Sequence, residues 1–400
     1  MIAAAAAAYF LLLFPAVLAA GCYSSIFSFG DSLADTGNIL HIVGNRSAGF
    51  ARLPYGMTYF GRPTGRFSDG RLILDFIGIA LSLLLPFPLR KKSILISPAA
   101  EALGLPLLPA YLDRRRVGGD FEQGANFAVA GATALDNSFF KERGIRISLT
   151  NVSLGVEIRW FRQLLPSLCS SPSDTLQDSL IMMGEIGGND YINPIFQRRS
   201  LEEVKSFVPF VVATISSAIT ELIELGARTL VVPGITPLGC NSAFLTEFQT
   251  QNVDDYDAST GCLNWLNEFS TYHNSLLEAE LQTLRGLHPH ATIVYADYFA
   301  AIISILNNPN QFGFGNDTLV SCCGGGGPYN YNRRLQCGSD GYSLCDEPSR
   351  CVIWDGVHMT EAMHRIIAGG LLQGPFASPA IADACGLQSV IHSSTSRMAS

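Results

Sequence analysis

Charge is scarce in this chain. Only 15% of its residues are Asp, Glu, Lys or Arg against 48% hydrophobic, and the formal net charge is −8. So much apolar material beside so little charge excludes global disorder, and the mild acidic excess argues against a nucleic-acid partner. Internal repeats and long low-complexity linkers are also missing, so 400 residues amount to one large domain or two small ones. Residues 322–351 carry five cysteines but no CxxC pair, which favours disulfides over a zinc site. No Lys or Arg precedes the apolar run Ala3–Leu18. That run is shorter than the ~20 residues a spanning helix needs, and the small residues Ala19, Ala20 and Gly21 after it suit signal-peptide cleavage. Residues 1–21 therefore read as a signal peptide with a weak n-region, a short membrane anchor being the rival. Ten cysteines in all, and glycosylation sequons at Asn45, Asn151 and Asn316, fit passage through an oxidising secretory compartment.

What is present is alternation. Ser25–Phe29, Asn126–Ala130, Leu180–Met183, Thr229–Val232 and Thr292–Tyr295 are nearly continuous apolar runs, as strands buried on both faces should be. Helical patterns lie between and after them at Leu201–Leu225, Cys262–Leu284, Tyr298–Leu306 and Thr360–Leu372, the last with Thr360 as N-cap. Strand then helix, repeated, predicts an α/β fold with a mostly parallel sheet covered on both faces. Sites in such folds form outside the carboxyl ends of the strands. The polar stretch Asn241–Gly261 is expected as a surface loop near that edge, and the segment Cys322–Cys351, with its run Gly324–Gly327, as irregular chain stapled by disulfides.

The strand ends carry the chemistry. Ser32 follows the first strand in Phe29-Gly30-Asp31-Ser32-Leu33. Gly30 permits a sharp turn, and a helix starting there would surround the serine with free amides; a plain helix N-cap is the alternative role. A serine hydroxyl needs a base to act as nucleophile. Among seven histidines, His358 stands three residues after Asp355, about one tight turn. The carboxylate can then hold Nδ1 and leave Nε2 to take the serine proton, although Asp355 could equally just start the helix near Thr360. Glycine turns at Gly131 and at Gly187-Gly188-Asn189-Asp190 could aim the Gly131 amide and the Asn189 side chain at a developing oxyanion. Asp31 and Asp35 are expected to make local hydrogen bonds rather than act as acids.

Taken in order, these blocks resemble the plant GDSL esterase/lipase family of the SGNH hydrolase superfamily. Gly30-Asp31-Ser32-Leu33-Ala34-Asp35-Thr36-Gly37-Asn38, Asn126-Phe127-Ala128 through Gly131-Ala132-Thr133, Gly187 to Asp190, and Asp355-Gly356-Val357-His358 are similar to its conserved blocks, and Pro237-Leu238-Gly239-Cys240 to a plant-branch motif. The resemblance spans roughly residues 24–375. It implies a three-layer α/β/α sandwich, flavodoxin-like, around a five-stranded parallel sheet. It also implies Ser32 as nucleophile, His358 as base with Asp355, and an oxyanion hole of Ser32, Gly131 and Asn189. No metal or other cofactor is expected. The implied protein is a secreted serine esterase/lipase of the apoplast, the cell wall or the vacuole, acting through an acyl-enzyme on small-molecule, lipid or acetylated-sugar esters. Residues 22–376 would form the hydrolase domain and 377–400 a C-terminal tail, without stable membrane insertion.

The alternatives within the same triad are an acyltransferase and a polysaccharide deacetylase. A metal-dependent phosphoesterase built on Asp31, Asn189, Asp190 and His358 lacks a histidine partner on the first strand, and a non-catalytic wall-binding protein is at odds with a complete triad. Two places depart from the family pattern. Residues 78–99, with Pro86, Pro88 and Pro98, interrupt what should be one helix from about Leu72 to Leu103; they read as a translated intron, with a genuine surface insertion as the rival. Cys351 stands where relatives carry an aromatic, and is expected either as an unpaired thiol or paired with Cys345. The loops at 41–66, 133–150 and 241–261 are expected to shape the pocket.

Overall fold

The computed structural model describes residues 23–44, 48–83, 107–113, 121–168 and 175–384. The signal-peptide segment, the Asn45 sequon, most of the 78–99 insertion and the end of the C-terminal tail lie outside the described residues.

Five parallel strands form the sheet: β1 Ser25–Ser28, β2 Gly124–Asn126, β3 Ser179–Met182, β4 Thr229–Pro233 and β5 Thr292–Ala296, in the order β2-β1-β3-β4-β5. Alternate side chains go to opposite faces. Phe27, Ile181, Leu230, Val232 and Ile293 join one apolar cluster with the helices Leu154–Leu168, Val208–Glu224 and Asn264–Leu287. Ile26, Leu180, Met182, Val231 and Val294 join the other with Ile73–Leu83, Tyr298–Asn307 and Glu361–Gln373. Both faces are thus covered, which is why the residues between the strand ends are apolar on both faces. The result is the three-layer α/β/α sandwich expected from the sequence.

Several details differ from the sequence reading. β2 lies two residues earlier than expected. Gly124 and Ala125 are poor strand formers by propensity, whereas Phe127 and Val129 leave the strand proper while still donating backbone hydrogen bonds to Ser28 and Gly30. The helix expected over Leu201–Leu225 is two helices, Leu201–Lys205 and Val208–Glu224. Pro209, without an N–H, fits the first turn of a new helix and cannot continue an old one. The stretch expected as a polar loop contains the helix Ser242–Glu247, whose Phe244 is buried and stacks on Phe196 at 4.7 Å. Among the described residues, the helix entering the insertion runs Ile73–Leu83. Beyond residue 376, the segment read as tail adds a short strand, Ala377–Ser378, antiparallel to β5, and buries Ile381.

Candidate active site

The chain turns sharply off β1 because Gly30 adopts φ 118°, and a Cβ there would meet the Glu185 carbonyl at 2.8 Å. No helix starts at Ser32. Asp31 to Asp35 form a single turn closed by the bond from Asp35 N to Asp31 O at 2.9 Å, and the helix begins at Asn38. The turn is held by carboxylates accepting backbone amides. Asp35 accepts from Gly37, Asn38 and Ile39, and across the crevice from Ala130 at 2.8 Å. Glu157 accepts the Gly30 amide at 2.9 Å, while Asp190 accepts those of Ala134 and Leu135 at 2.8 and 3.0 Å. These carboxylates fasten the ends of β1, β2 and β3 into one rim. Asp31 and Asp35 make the local bonds expected of them, and each adds one that spans the crevice.

Burial is the largest influence on these acids. It pushes Asp35 up to about 6 and Asp190 up to about 7, against the amide bonds that pull both down. Burial, then the neighbouring Glu185 charge, raises Asp31 well above the carboxylate range. Glu157 is raised well above it too, chiefly by burial, and its Oε1 has no partner among the described residues.

Asp355 and His358 lie on a separate loop. Ile353 and Met359 form an antiparallel bridge, and Trp354 N donates to His358 O at 2.7 Å, so residues 354–358 are a closed turn. Inside it His358 Nδ1 lies 2.8 Å from both Asp355 oxygens, and the His358 amide donates to Oδ1 at 3.0 Å. Nε2 lies 2.8 Å from Ser32 Oγ. Asp355 is buried, which alone would raise it. The His358 charge and the hydrogen bonds from His358 and Tyr55 outweigh burial and leave it below the usual carboxylate value.

Of the expected oxyanion donors, the amides of Ser32 and Gly131 donate to no partner among the described residues. Gly131 has φ 81°, and a Cβ there would press on the Leu149 side chain at 2.8 Å. Asn189 sits at the rim, but both hydrogens of its Nδ2 are engaged, on Asp31 Oδ2 at 2.7 Å and Ala132 O at 3.1 Å. Beside His358 an apolar depression is lined by Leu33, Val352, Val357 and Met359 together with Thr236 and Asn241.

Disulfides brace the loop of Asp355 and His358 from behind. Cys322 pairs with Cys345 and Cys323 with Cys337, and the amides of Cys322 and Cys323 donate to Ile353 O and Trp354 O. Cys240–Cys262 closes the segment after β4. Cys351 is a free thiol, 3.4 Å from Cys345 Sγ, the first of its two expected states. Asn151 and Asn316 are exposed. Sequence reasoning missed Glu157 and Tyr55, whose partners lie 127 and 300 residues away. No local pattern signals either one.

The GDSL-like lipase/acylhydrolase family model matches residues 26–371. A GDSL esterase/lipase of Arabidopsis thaliana is 50% identical over 367 residues, covering 91% of this chain and 85% of the relative. Another from the same plant is 51% identical over 361 residues, 89% and 85% of the two chains. The sinapine esterase of Brassica napus is 48% identical over 368 residues, 91% and 88% of the two chains. The chain therefore belongs to the GDSL-like lipase/acylhydrolase family, and it is a hydrolase of carboxylic esters.

Proposed function

We propose that this hydrolase works through an acyl-enzyme on Ser32, with His358 as general base and Asp355 holding the imidazole. The carrying observation is the unbroken chain Ser32 Oγ, His358 Nε2, His358 Nδ1, Asp355, at 2.8 Å per link. Ser32 Oγ attacks the ester carbonyl carbon as its proton passes to Nε2. The oxyanion rests on the Ser32 and Gly131 amides, and Asn189 joins by turning one hydrogen away from Ala132 O, the longer of its two bonds. Collapse breaks the bond to the leaving alcohol, which takes the proton from Nε2. Water then repeats the sequence on the acyl-enzyme and frees the acid.

The substrate class is a small-molecule ester. Its support is the likeness to a relative named for its action on sinapine, with a small apolar depression beside His358. A deacetylase or acyltransferase would use the same groups. Residues 22–376 as the hydrolase domain, extended by the strand Ala377–Ser378 and the buried Ile381, secretion after loss of residues 1–21, and glycans on Asn45, Asn151 and Asn316 complete the reading. Its support is the disulfide framework and the exposure of the two described sequons. Residues 78–99 are proposed to be translated intron, which sequencing of mature transcripts across the junction tests.

A serine-directed phosphonate with peptide mapping tests the centre. Labelling of Ser32, abolished in His358→Gln, is the expected result; labelling elsewhere, or full labelling of the variant, would overturn it. Hydrolysis of acyl esters of increasing chain length, with acetylated xylan and a competing alcohol included, separates the substrate readings.

A further inference from the structure

One buried polar group touches this centre and is used by no step above. Tyr55, in the segment 52–71, is 5% exposed, and its hydroxyl donates to Asp355 Oδ2 at 2.7 Å. His358 Nδ1 reaches the same oxygen at 2.8 Å, so phenol and imidazole share one acceptor. The other oxygen is taken by His358 Nδ1 and by the His358 and Val357 amides at 3.0 and 3.3 Å. Among the described residues, Tyr55 is the one side-chain donor to Asp355 besides the imidazole.

The phenol is held in place. Its ring stands edge-on to Trp354 at 5.9 Å and to Phe67 at 6.0 Å, and Phe67 lies 4.8 Å from the His358 ring. The segment also binds the far side of the loop. Asp69 accepts from the Thr58 hydroxyl and, at 2.7 Å, from the Glu361 amide; Glu361 in turn pairs with Arg71 at 2.7 Å. A single segment therefore grips Asp355 and the first turn of the helix after His358. Burial, then the Asp355 charge, keeps the phenol protonated, so the direction of donation is fixed.

We propose that Tyr55 is a positioning residue for ester hydrolysis, its hydroxyl fixing the Asp355 carboxylate against the His358 ring and tempering the negative charge the imidazolium meets. This rests on the triad reading. Without the hydroxyl, Asp355 can turn about its side-chain bonds and Nε2 loses its register with Ser32 Oγ. The carboxylate also then acts on His358 with its full charge. A carboxylate bearing its full charge favours the charged ring, and a protonated imidazole cannot take the proton of Ser32. Other titratable groups sense this pair: Tyr331, pushed up to about 12 by burial, senses Asp355, while Asp31 and His364 sense His358. Tyr55→Phe alters none of them.

The test compares wild type with Tyr55→Phe, after counting reactive serines with a fluorophosphonate, on a short p-nitrophenyl ester over about pH 5 to 9. The variant should label to the wild-type extent. Its kcat per labelled site should fall about 10-fold with KM within about twofold, and its acidic limb should move up by roughly half a unit. In an Asp355→Asn background the same change should cost less than about twofold, because the shared partner is already altered. Full labelling with unmoved kcat and unmoved limb overturns the proposal and leaves the triad standing. A loss that persists undiminished in the Asp355→Asn background marks a merely structural role and overturns it too. Failure of wild type to label Ser32 removes the triad reading itself.

Discussion

The two halves of this site are held by different means. The Ser32 side is three strand ends of one parallel sheet, fastened by buried carboxylates that accept backbone amides. The His358 side is a short turn off the sheet, fastened from behind by the Cys322–Cys345 and Cys323–Cys337 pairs and gripped in front by the segment bearing Tyr55. The first half inherits its precision from strand register. The second half lies off that sheet and depends on disulfides, on the Cys322 and Cys323 amides bonded to Ile353 O and Trp354 O, and on side-chain contacts.

The largest expected effects come from breaking the Ser32–His358 hydrogen bond between the halves. Ser32→Ala and His358→Gln should each lower kcat by on the order of 10^4-fold or more while leaving the thermal melt near wild type. A variant retaining near-native ester hydrolysis would show that the halves do not act together. Next, Asn189→Ala should cost about 100-fold in kcat with little change in KM, an effect confined to the rim.

Removing Cys323 and Cys337 together should cost about 2–4 kcal/mol, read from the denaturant midpoint. Amide exchange should quicken over residues 352–360 and stay unchanged at 26–29. Equal quickening in both places would erase the distinction drawn here.

The effect that is smallest near neutral pH, and grows only as pH falls below 6.5, is a pH slope in stability. Among the described residues no hydrogen-bond partner reaches either ring nitrogen of the fully buried His364, and burial lowers it from 6.5 to about 3. Its folded value is depressed, so the stability it permits is present above 6.5 and is lost as pH falls toward 3, by up to about 1.4 kcal/mol per pH unit. His273 behaves alike. Asp35 and Asp190, raised by burial, act in the opposite sense: their contribution is complete below the ordinary value of 3.8 and is lost as pH rises through about 6 and 7. His364→Leu should therefore flatten the melting profile below pH 6.5 by one group's share, visible as a difference between the two pH series.

The legibility of the chain divides along the same line. The five strands could be read from apolar runs because both sheet faces are covered, and Ser32 from its place after the first of them. The spacing of Asp355 and His358 was local enough to suggest a bonded pair. β2 was misplaced because its first residues, Gly124 and Ala125, carry no strand signal of their own. The helix Ser242–Glu247 was hidden in a polar stretch because three apolar residues suffice to anchor one short turn on Phe196. Asn189 was found by position, but the engagement of both its hydrogens depends on Asp31 and Ala132, which only the folded chain brings near. Glu157 and Tyr55 were invisible for the same reason.

The hydroxyl and the imidazole that meet at 2.8 Å are 326 residues apart in the chain. During synthesis the serine emerges among the first residues and its base among the last. A growing chain therefore carries an inert serine until nearly the whole polypeptide has left the ribosome and closed on its own beginning. A product truncated between residues 297 and 357 would hold all five parallel strands but not His358, and under the proposed triad such an unfinished molecule could not attack esters.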